Sequence, residues 1–341
     1  MGVLSTRVAA LRWCGALEVL DQRRLPWEQR WVQVGSAEEA VEAIRSLVVR
    51  GAPAIGLVAA YALALEAKRN AALEHLRACA AALAAARPTA VNLPQAVSRL
   101  LAVAERCPPE ERAVALFAAA QALHREDAEA CEAMALLGAS LIPGERAAVL
   151  THCNAGALAT GGVGTALGVV RALAHQGRLA MLYACEARPV LQGARLTAWE
   201  AREDRIPVTL LADAAAGWLL ASGRVQAVVV GADRIAADGS VANKVGTYPL
   251  AVLAQRHRVP FFVVAPTTTF DPRCPSGEAI PIEVRGEQEV TSCGGGAVAP
   301  PGVPAWNPAF DVTPPELVSA IVCQRGVVRP VSRQTLAEVL R

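Results

Sequence analysis

The second half of the chain alternates short apolar runs with stretches long enough for one helix, and this alternation limits the fold more than any other feature. The runs are rich in Val, Leu and Ala, as buried strands are. They occupy Ala147–Thr151, Leu179–Ala184, Val208–Leu211, Ala227–Val230 and Phe261–Ala265. Because helical stretches separate the runs, the pattern predicts βα units wound into a doubly wound parallel sheet.

The first 140 residues predict a mainly helical unit that begins with a small β element between Ala9 and Val34. Ser36, followed three residues later by Glu39, is a capping-box pattern that predicts the start of a helix. We expect that helix to end near Arg50-Gly51. Ala/Leu-rich helical segments then continue to about residue 138, with breaks predicted at Arg87-Pro88 and Cys107-Pro108-Pro109.

Length and composition agree with a two-part folded chain. A single core seldom grows much beyond roughly 250 to 300 residues, and this chain has 341. We therefore predict two domains, residues 1–140 and 141–341, in an α/β protein. Hydrophobic residues make up 53% and charged residues 19%, which argues against intrinsic disorder. The net charge of +2 gives no reason to expect a nucleic-acid partner.

The sequence also predicts a cytoplasmic protein without a membrane partner. Residues Met1 to Gly15 lack an apolar segment with a cleavage site, and the most apolar stretch, Ala52 to Leu65, is shorter than the roughly 20 residues that span a bilayer. The nine cysteines are odd in number and never form a C-x-x-C pair. We therefore expect neither a disulfide framework nor a structural zinc site.

Polar residues follow the apolar runs at the predicted strand ends. They are Thr151-His152-Cys153-Asn154, Glu186, Asp213 and Gly231-Ala232-Asp233-Arg234. In a doubly wound sheet, ligands bind outside the carboxyl ends of the strands. The candidate site is therefore at this edge.

Two of these residues carry reactive groups, and each has a structural alternative. The Cys153 thiol is a candidate base or nucleophile if nearby backbone dipoles lower its pKa, but a single cysteine is more often a small buried hydrophobe. Asp233 is a candidate proton donor if apolar surroundings raise its pKa. Alternatively, it is a helix cap or the ion-pair partner of Arg234. The residues alone leave both choices open.

A glycine-rich run follows Cys153 and suggests two further interpretations. Gly162 and Gly164, with Glu186 about 20 residues on, resemble a dinucleotide-binding fingerprint, but the third glycine is misplaced at Gly168. We expect instead that these glycines let backbone amides approach a phosphate. Other candidates for binding an anion or a sugar oxygen are Arg50-Gly51-Ala52, Arg87, Gln192 and Asn243-Lys244.

Taken together, these segments form a set of long motifs. They are Val49-Arg50-Gly51-Ala52-Pro53-Ala54-Ile55-Gly56, Arg87-Pro88-Thr89-Ala90-Val91-Asn92-Leu93, Leu150-Thr151-His152-Cys153-Asn154-Ala155-Gly156, Gln192-Gly193-Ala194-Arg195-Leu196-Thr197-Ala198-Trp199-Glu200, Gly231-Ala232-Asp233-Arg234-Ile235, Asn243-Lys244-Val245-Gly246-Thr247-Tyr248 and Asn307-Pro308-Ala309-Phe310-Asp311. With these motifs in this order, the chain resembles the methylthioribose-1-phosphate isomerases of methionine salvage over nearly its whole length.

The resemblance implies conversion of 5-methylthioribose 1-phosphate to 5-methylthioribulose 1-phosphate. It implies that Asp233 is the proton donor and Cys153 the second catalytic residue, in a site between the lobes at the strand ends. It further implies a helical N-terminal lobe, a Rossmann-like C-terminal lobe, a homodimer, and no cofactor or metal. The implied substrate contacts are Arg50, Gly51, Ala52, Arg87, Gln192, Asn243 and Lys244.

The chemistry explains why an acid is needed. A phosphate on C1 locks the sugar as a cyclic acetal, so a proton donor must help to open the ring. Hydrogen then moves from C2 to C1, either as a proton with Cys153 as base or as a hydride with Cys153 stabilising charge. Relatives in the same superfamily offer two alternatives, isomerisation of ribose 1,5-bisphosphate and a non-enzymatic role as a regulatory subunit of a translation initiation exchange factor.

Overall fold

A small antiparallel sheet and five helices make up the first part of the computed structural model, which describes residues 3–87 and 91–341. The sheet has the strand order β1-β2-β3. Pro88, Thr89 and Ala90 of the predicted Arg87 motif lie outside the described residues. The elements are β1 Leu11–Trp13, β2 Leu17–Leu20, β3 Trp31–Val34, α1 Ala37–Arg45, α2 Ala52–Arg69, α3 Leu73–Ala84, α4 Asn92–Arg106 and α5 Arg112–Leu141.

Helix α1 begins as predicted but ends earlier. The Ser36 hydroxyl accepts a hydrogen bond from the Glu39 N–H at 3.1 Å, while the Glu39 carboxylate accepts from Gly35 rather than from the cap residue. The prediction that the helix reaches Arg50-Gly51 was wrong, because Leu47 has a φ of +61° and turns the chain out of the helix. Residues 46–51 are therefore a loop, which can reach the second half of the molecule.

The second part contains the predicted doubly wound sheet. Its elements are β4 Ala147–Thr151, α6 Ala166–His175, β5 Leu179–Cys185, α7 Ala198–Glu203, β6 Val208–Leu211, α8 Ala216–Ala221, β7 Ala227–Val230, β8 Arg234–Ala236, β9 Val241–Lys244, α9 Thr247–Arg256, β10 Phe261–Val264, β11 Phe270–Asp271, α10 Gln288–Thr291, β12 Ser292–Cys293, β13 Gly296–Ala297, β14 Phe310–Thr313, β15 Ala320–Cys323, β16 Gly326–Val328 and α11 Arg333–Leu340. The main sheet has the order β16-β15-β10-β7-β4-β5-β6, and only β16 runs antiparallel to its neighbour.

All five predicted apolar runs are strands of this sheet, which confirms the α/β fold class. The sequence interpretation missed β15 and β16, which extend the sheet at one edge. It also missed a separate sheet of order β11-β8-β9-β14. In that sheet Lys244 pairs with Phe310 and Asn243 with Asp311, so a distant segment covers the Asn243-Lys244 motif.

Helix α5 contributes to two hydrophobic cores. Its first half, with Leu116 and Ala120, packs in the core formed by α1 to α4 and the small sheet. Its second half, with Met134 and Ala135, packs beneath the main sheet. The two lobes thus share a continuous helix, and the predicted boundary at residues 140 and 141 stays a prediction. Among the described residues, no helix has the length and apolar composition needed to cross a membrane.

Candidate active site

A cavity of about 230 Å³ lies where the ends of β4 and β7 meet the loop before α2. A smaller cavity of about 60 Å³ adjoins it and shares four lining residues with it: Arg50, Gly51, Cys153 and Asp233. All nine residues predicted from the sequence line one or both cavities. Arg87, Gln192 and Lys244 line the first, and Ala52 and Asn243 line the second.

Cys153 lies two residues after the end of β4 and adopts a left-handed backbone conformation with a φ of +61°. Its carbonyl accepts a hydrogen bond from the Thr197 hydroxyl at 2.6 Å, which fixes this turn. Burial raises the pKa of the thiol, while the positive charges of Arg50 and Lys244 oppose the rise. The thiol form is therefore favoured, and nearby cations reduce the cost of a thiolate.

Asp233 lies between β7 and β8, and its N–H donates to the Ala242 carbonyl at 3.0 Å. Burial raises the pKa of its carboxyl group, opposed by the charges of Lys244, Arg87 and Arg50. Because a strand follows it, Asp233 does not cap a helix. A carboxyl group with a raised pKa keeps its proton to higher pH and is able to donate it.

Arg50 brings a buried guanidinium from the first lobe to this site. One of its nitrogens donates to the Asn154 carbonyl at 2.8 Å, and Nε donates to the Gln22 side chain at 3.1 Å. The third, Nη2, is buried and has no hydrogen-bond partner among the described residues, and the same holds for Oε1 of Gln192. A buried polar atom without a hydrogen bond reduces stability. Nη2 of Arg50 and Oε1 of Gln192 therefore indicate a place for a polar ligand.

Lys244 provides a second buried cation. Its Nζ donates to the Ala309 carbonyl at 2.6 Å and lies 4.9 Å from the centre of the Phe310 ring. Burial lowers the pKa of the ammonium group, while the charges of Cys153 and Asp233 raise it. The neighbouring Asn243 amide donates to the Thr247 hydroxyl at 3.1 Å. Both side chains are therefore held in place at the end of β9, in the sheet of order β11-β8-β9-β14.

Gly51 allows the two lobes to approach closely at the cavity wall. Its φ is +91°, and a Cβ atom there would lie 2.5 Å from the Cα of Ala159. Only glycine fits both the backbone conformation and the space. The start of α2 can thus pack against the segment that follows Cys153.

The chain is similar to known proteins of one family over most of its length. Residues 48–330 match the model of the initiation factor 2 subunit family. A protein of Anaeromyxobacter sp. (strain K) named methylthioribose-1-phosphate isomerase is 58% identical over 313 residues, which cover 92% of this chain and 91% of that protein. One with the same name from Pelotomaculum thermopropionicum is 54% identical, covering 94% of this chain and 91% of its own. This chain belongs to the methylthioribose-1-phosphate isomerase family.

Solved structures of the family share the whole fold. The 5-methylthioribose 1-phosphate isomerase of Pyrococcus horikoshii OT3 superposes with a TM-score of 0.91 at 43% identity, covering 98% of this chain and 96% of that one. A protein of A. fulgidus described as translation initiation factor eIF-2B, subunit delta, superposes with a TM-score of 0.87 at 41% identity. The match covers 98% of this chain and 99% of that one. The isomerase family therefore shares its architecture with proteins that carry a translation name.

The structure corrects the interpretation of the glycine-rich run. The Gly161 N–H donates to the Asp127 carboxylate at 2.6 Å, and a Cβ atom at Gly162 would lie 2.8 Å from the Cα of Ala128. Neither glycine lines the two cavities. These glycines allow close packing against α5, and the neighbouring carboxylate disfavours a phosphate there.

The structure also adds residues that the sequence interpretation missed. Gln22, Arg195 and Phe310 line the larger cavity of the site. Arg195 lies within one of the motifs that carry the family resemblance, and Phe310 within another, so the resemblance offered a signal for both. Gln22 comes from the loop after β2, outside every quoted motif, and only the contact with Arg50 identifies it.

Proposed function

We propose that this chain converts 5-methylthioribose 1-phosphate to 5-methylthioribulose 1-phosphate in this cavity. The observation that carries the proposal is the presence of Cys153 and Asp233 on the same cavity wall, beside the unpaired guanidinium nitrogen of Arg50. This combination offers an acid, a thiol and an anion contact. The names of the relatives at 54% and 58% identity support the same substrate.

In the first step, the protonated Asp233 carboxyl donates its proton to the ring oxygen of the sugar. The bond between C1 and the ring oxygen breaks, and the electron pair of that bond stays on the oxygen as a hydroxyl group. The raised pKa of Asp233 supports this role, because the acid form is available at higher pH than for an exposed carboxyl group.

In the second step, hydrogen moves from C2 to C1 by one of two routes. In the proton route, the Cys153 thiolate takes the C2 proton and returns it to C1 of the enol-type intermediate, and the C2 hydroxyl gives its proton to the Asp233 carboxylate as the ketone forms. In the hydride route, hydrogen moves from C2 to C1 with its electron pair, and the C2 hydroxyl gives its proton to the Asp233 carboxylate as the ketone forms. The raised pKa of Cys153 favours the hydride route, since the proton route must first ionise the thiol.

The substrate phosphate is proposed to bind among the cations of the larger cavity, which are Arg23, Arg50, Arg87, Arg195, Lys244 and Arg285. Three of these pair with carboxylates: Arg23 with Asp21, Arg87 with Glu283, and Arg285 with Glu289. In the described part of the chain, the other three form no such ion pair. Because all three nitrogens of Arg195 already donate to backbone carbonyls, we propose Arg50 and Lys244 as the main phosphate contacts.

A second candidate reaction is the isomerisation of ribose 1,5-bisphosphate. The number of cations around the cavity favours it, because this substrate carries a second phosphate on C5. The apolar side chains of Leu47, Val190 and Phe310 in the same wall instead favour a methylthio group. We prefer the methylthio substrate, since half of the cations are already paired.

The deciding experiment measures turnover of 5-methylthioribose 1-phosphate by the purified protein, with ribose 1,5-bisphosphate as the alternative substrate. We expect activity that collapses in Cys153→Ala and in Asp233→Asn. Cys185→Ala is the matched control, because Cys185 is a buried cysteine at the end of the next strand. Turnover of the bisphosphate alone would select the second candidate. Inactivity with both substrates would favour a binding role, as the translation name of the A. fulgidus structure suggests.

We also propose that the protein acts as a homodimer in the cytoplasm. Helices α8 and α9 support the dimer, because they expose Trp218, Tyr248 and Val252 on adjacent elements, with 82% of Trp218 accessible. Large apolar side chains grouped on a surface are typical of protein interfaces. A cytoplasmic location fits the substrate, since charged sugar phosphates are made inside cells and do not cross membranes unaided. We expect no nucleic-acid partner.

A further inference from the structure

Three side chains from two helices converge outside the two cavities of the proposed active site. His75 and Cys79 are one turn apart on α3, and Glu66 lies near the end of α2. His75 Nε2 is 2.9 Å from a Glu66 carboxylate oxygen and 3.6 Å from the Cys79 sulfur. All three ligand atoms lie within 4.8 Å of one another.

Two of these separations lie near the edges of a zinc coordination tetrahedron. With Zn–N and Zn–O near 2.0 Å and Zn–S near 2.3 Å, tetrahedral angles place N and S about 3.5 Å apart and N and O about 3.3 Å apart. The observed distances are 3.6 Å and 2.9 Å. His75 Nε2 and the Glu66 carboxylate oxygen need to move apart only slightly for the ion to bind between them.

The cluster also has the charge and the access that a cation requires. It lines a cavity of about 1180 Å³, and about a third of the His75 side chain is exposed. Glu38, Glu39 and Glu42 line the same cavity, so its carboxylates outnumber its two guanidinium groups, Arg23 and Arg69. The net negative charge attracts cations.

Glu66 is already held as a ligand should be. One of its carboxylate oxygens accepts from the Ala37 N–H at 2.8 Å, and the other faces His75. Arg69 lies 3.5 Å from the oxygen that faces Ala37, away from the proposed ion. A second-shell hydrogen bond of this kind orients a metal ligand.

A second group of potential ligands, His152, Cys185 and Asp213, is less suitable. The Nδ1 atom of His152, which faces the group, is 3.9 Å from an Asp213 carboxylate oxygen, and His152 lines the smaller cavity of the proposed active site. Both carboxylate oxygens of Asp213 accept backbone hydrogen bonds, from Ala187 and Arg188. A metal there would compete with both hydrogen bonds to Asp213 and would lie beside the proposed active site.

We propose that Glu66, His75 and Cys79 bind one Zn²⁺ ion, with water from the cavity as the fourth ligand. On binding, the Cys79 thiol loses its proton to solvent and the sulfur binds as a thiolate. The ion joins α2 to α3, and through the Glu66–Ala37 hydrogen bond it also holds the start of α1. The site is separate from the proposed reaction and does not depend on it.

The test uses Co²⁺ as a spectroscopic probe of the purified, metal-free full chain, followed by displacement with Zn²⁺. One equivalent of Co²⁺ should give the visible bands of a tetrahedral ion and a near-ultraviolet thiolate charge-transfer band. Affinity should fall at least about tenfold in His75→Ala and in Cys79→Ser. Cys14→Ser, at an exposed cysteine, and Cys185→Ser, in the other group, are the controls and should bind as the original protein does.

A measurement on the unaltered protein guards against misfolded variants. Zn²⁺ should protect Cys79 from alkylation, as read by mass spectrometry, and leave Cys14 reactive. The proposal is wrong if no tetrahedral spectrum forms, if the bands persist in Cys79→Ser, if Cys185→Ser abolishes them, or if zinc fails to protect Cys79. Isomerase turnover is a separate readout, so inactivity would overturn the proposed function without affecting this one.

Discussion

At the scale of single residues, four ionisable groups share the wall of the proposed active site. Burial shifts each pKa towards the neutral form, upward for Cys153 and Asp233 and downward for Arg50 and Lys244. Each group is also stabilised by a neighbour of opposite charge. The protonation states of the four groups are therefore interdependent, and a substitution at one residue shifts the pKa values of the others.

The pH dependence of kcat tests the role of Asp233. If its acid form donates the proton, activity is present below its raised pKa and falls as the pH rises through that value. Lys244→Gln removes a charge that lowers this pKa, so the descending limb should move to higher pH. Asp233→Asn should lower kcat by about 10²- to 10⁴-fold. A descending limb that stays in place in Lys244→Gln would argue against Asp233 as the acid.

At the scale of elements, the segment after β4 is fixed by a buried carboxylate on α7. Glu200 is fully buried and accepts from the Asn154 amide and from the Ala157 and Leu158 N–H groups, at 2.9 to 3.0 Å. Its charge is paired with Arg171 at 2.9 Å. The backbone position of Cys153 therefore depends on α7 as well as on its own strand.

Glu200→Gln should reduce both stability and kcat, because an NH₂ group would face backbone donors. Breaking a buried pair of this kind costs about 3–5 kcal/mol in the free energy of unfolding. Asp204→Asn is the control, since Asp204 also pairs with Arg171 but otherwise contacts Thr6 and Arg7. It should lose stability and keep its kcat. Equal loss of kcat in both folded variants would mean that Glu200 does not act through the Cys153 segment.

Gly51→Ala tests the close approach at the start of α2. Gly144→Ala is a matched control, because Gly144 has a φ of +88° but has open space around a Cβ atom. The backbone conformation alone costs about 1–2 kcal/mol at either position. Gly51→Ala should cost more in thermal unfolding and should also raise KM, since the added methyl group meets Ala159. Equal effects of the two changes would show that space at Gly51 is unimportant.

At the scale of the whole molecule, the proposed active site is built from both parts of the chain. Gln22 and Arg50 come from the first part, and Cys153 and Asp233 come from strand ends in the second. Helix α5 packs in both hydrophobic cores and holds the parts together. The site is therefore complete only when the full chain is folded.

The proposed dimer makes a prediction at the same scale. Trp218→Glu should shift the protein to the monomer in light scattering with size-exclusion chromatography, because it places a charge in an apolar contact. Trp306→Glu is the control, since Trp306 is as exposed, at 83% against 82%, but lies in the loop before β14. If Trp218→Glu remains a dimer, or if only Trp306→Glu dissociates, the interface lies elsewhere on the surface.

The sequence by itself determined five of the seven strands of the main sheet and the helical first half. Both signals are local: runs of Val and Leu mark buried strands, and Ala/Leu-rich segments between prolines mark helices. The family motifs also selected nine of the residues that line the two cavities. These motifs identify residues one segment at a time, without showing how far apart the segments are.

Tertiary structure decided what depends on contacts between distant segments. It paired β9 with β14, placed Gln22 beside Arg50, and assigned the glycines after Cys153 to packing against α5. It also brought Glu66 to His75 and Cys79, although the spacing of the cysteines gave no sign of a metal site. Local sequence patterns do not predict such pairings. The free energy that stabilises the pairings comes from burial and hydrogen bonds that exist only after the chain has folded.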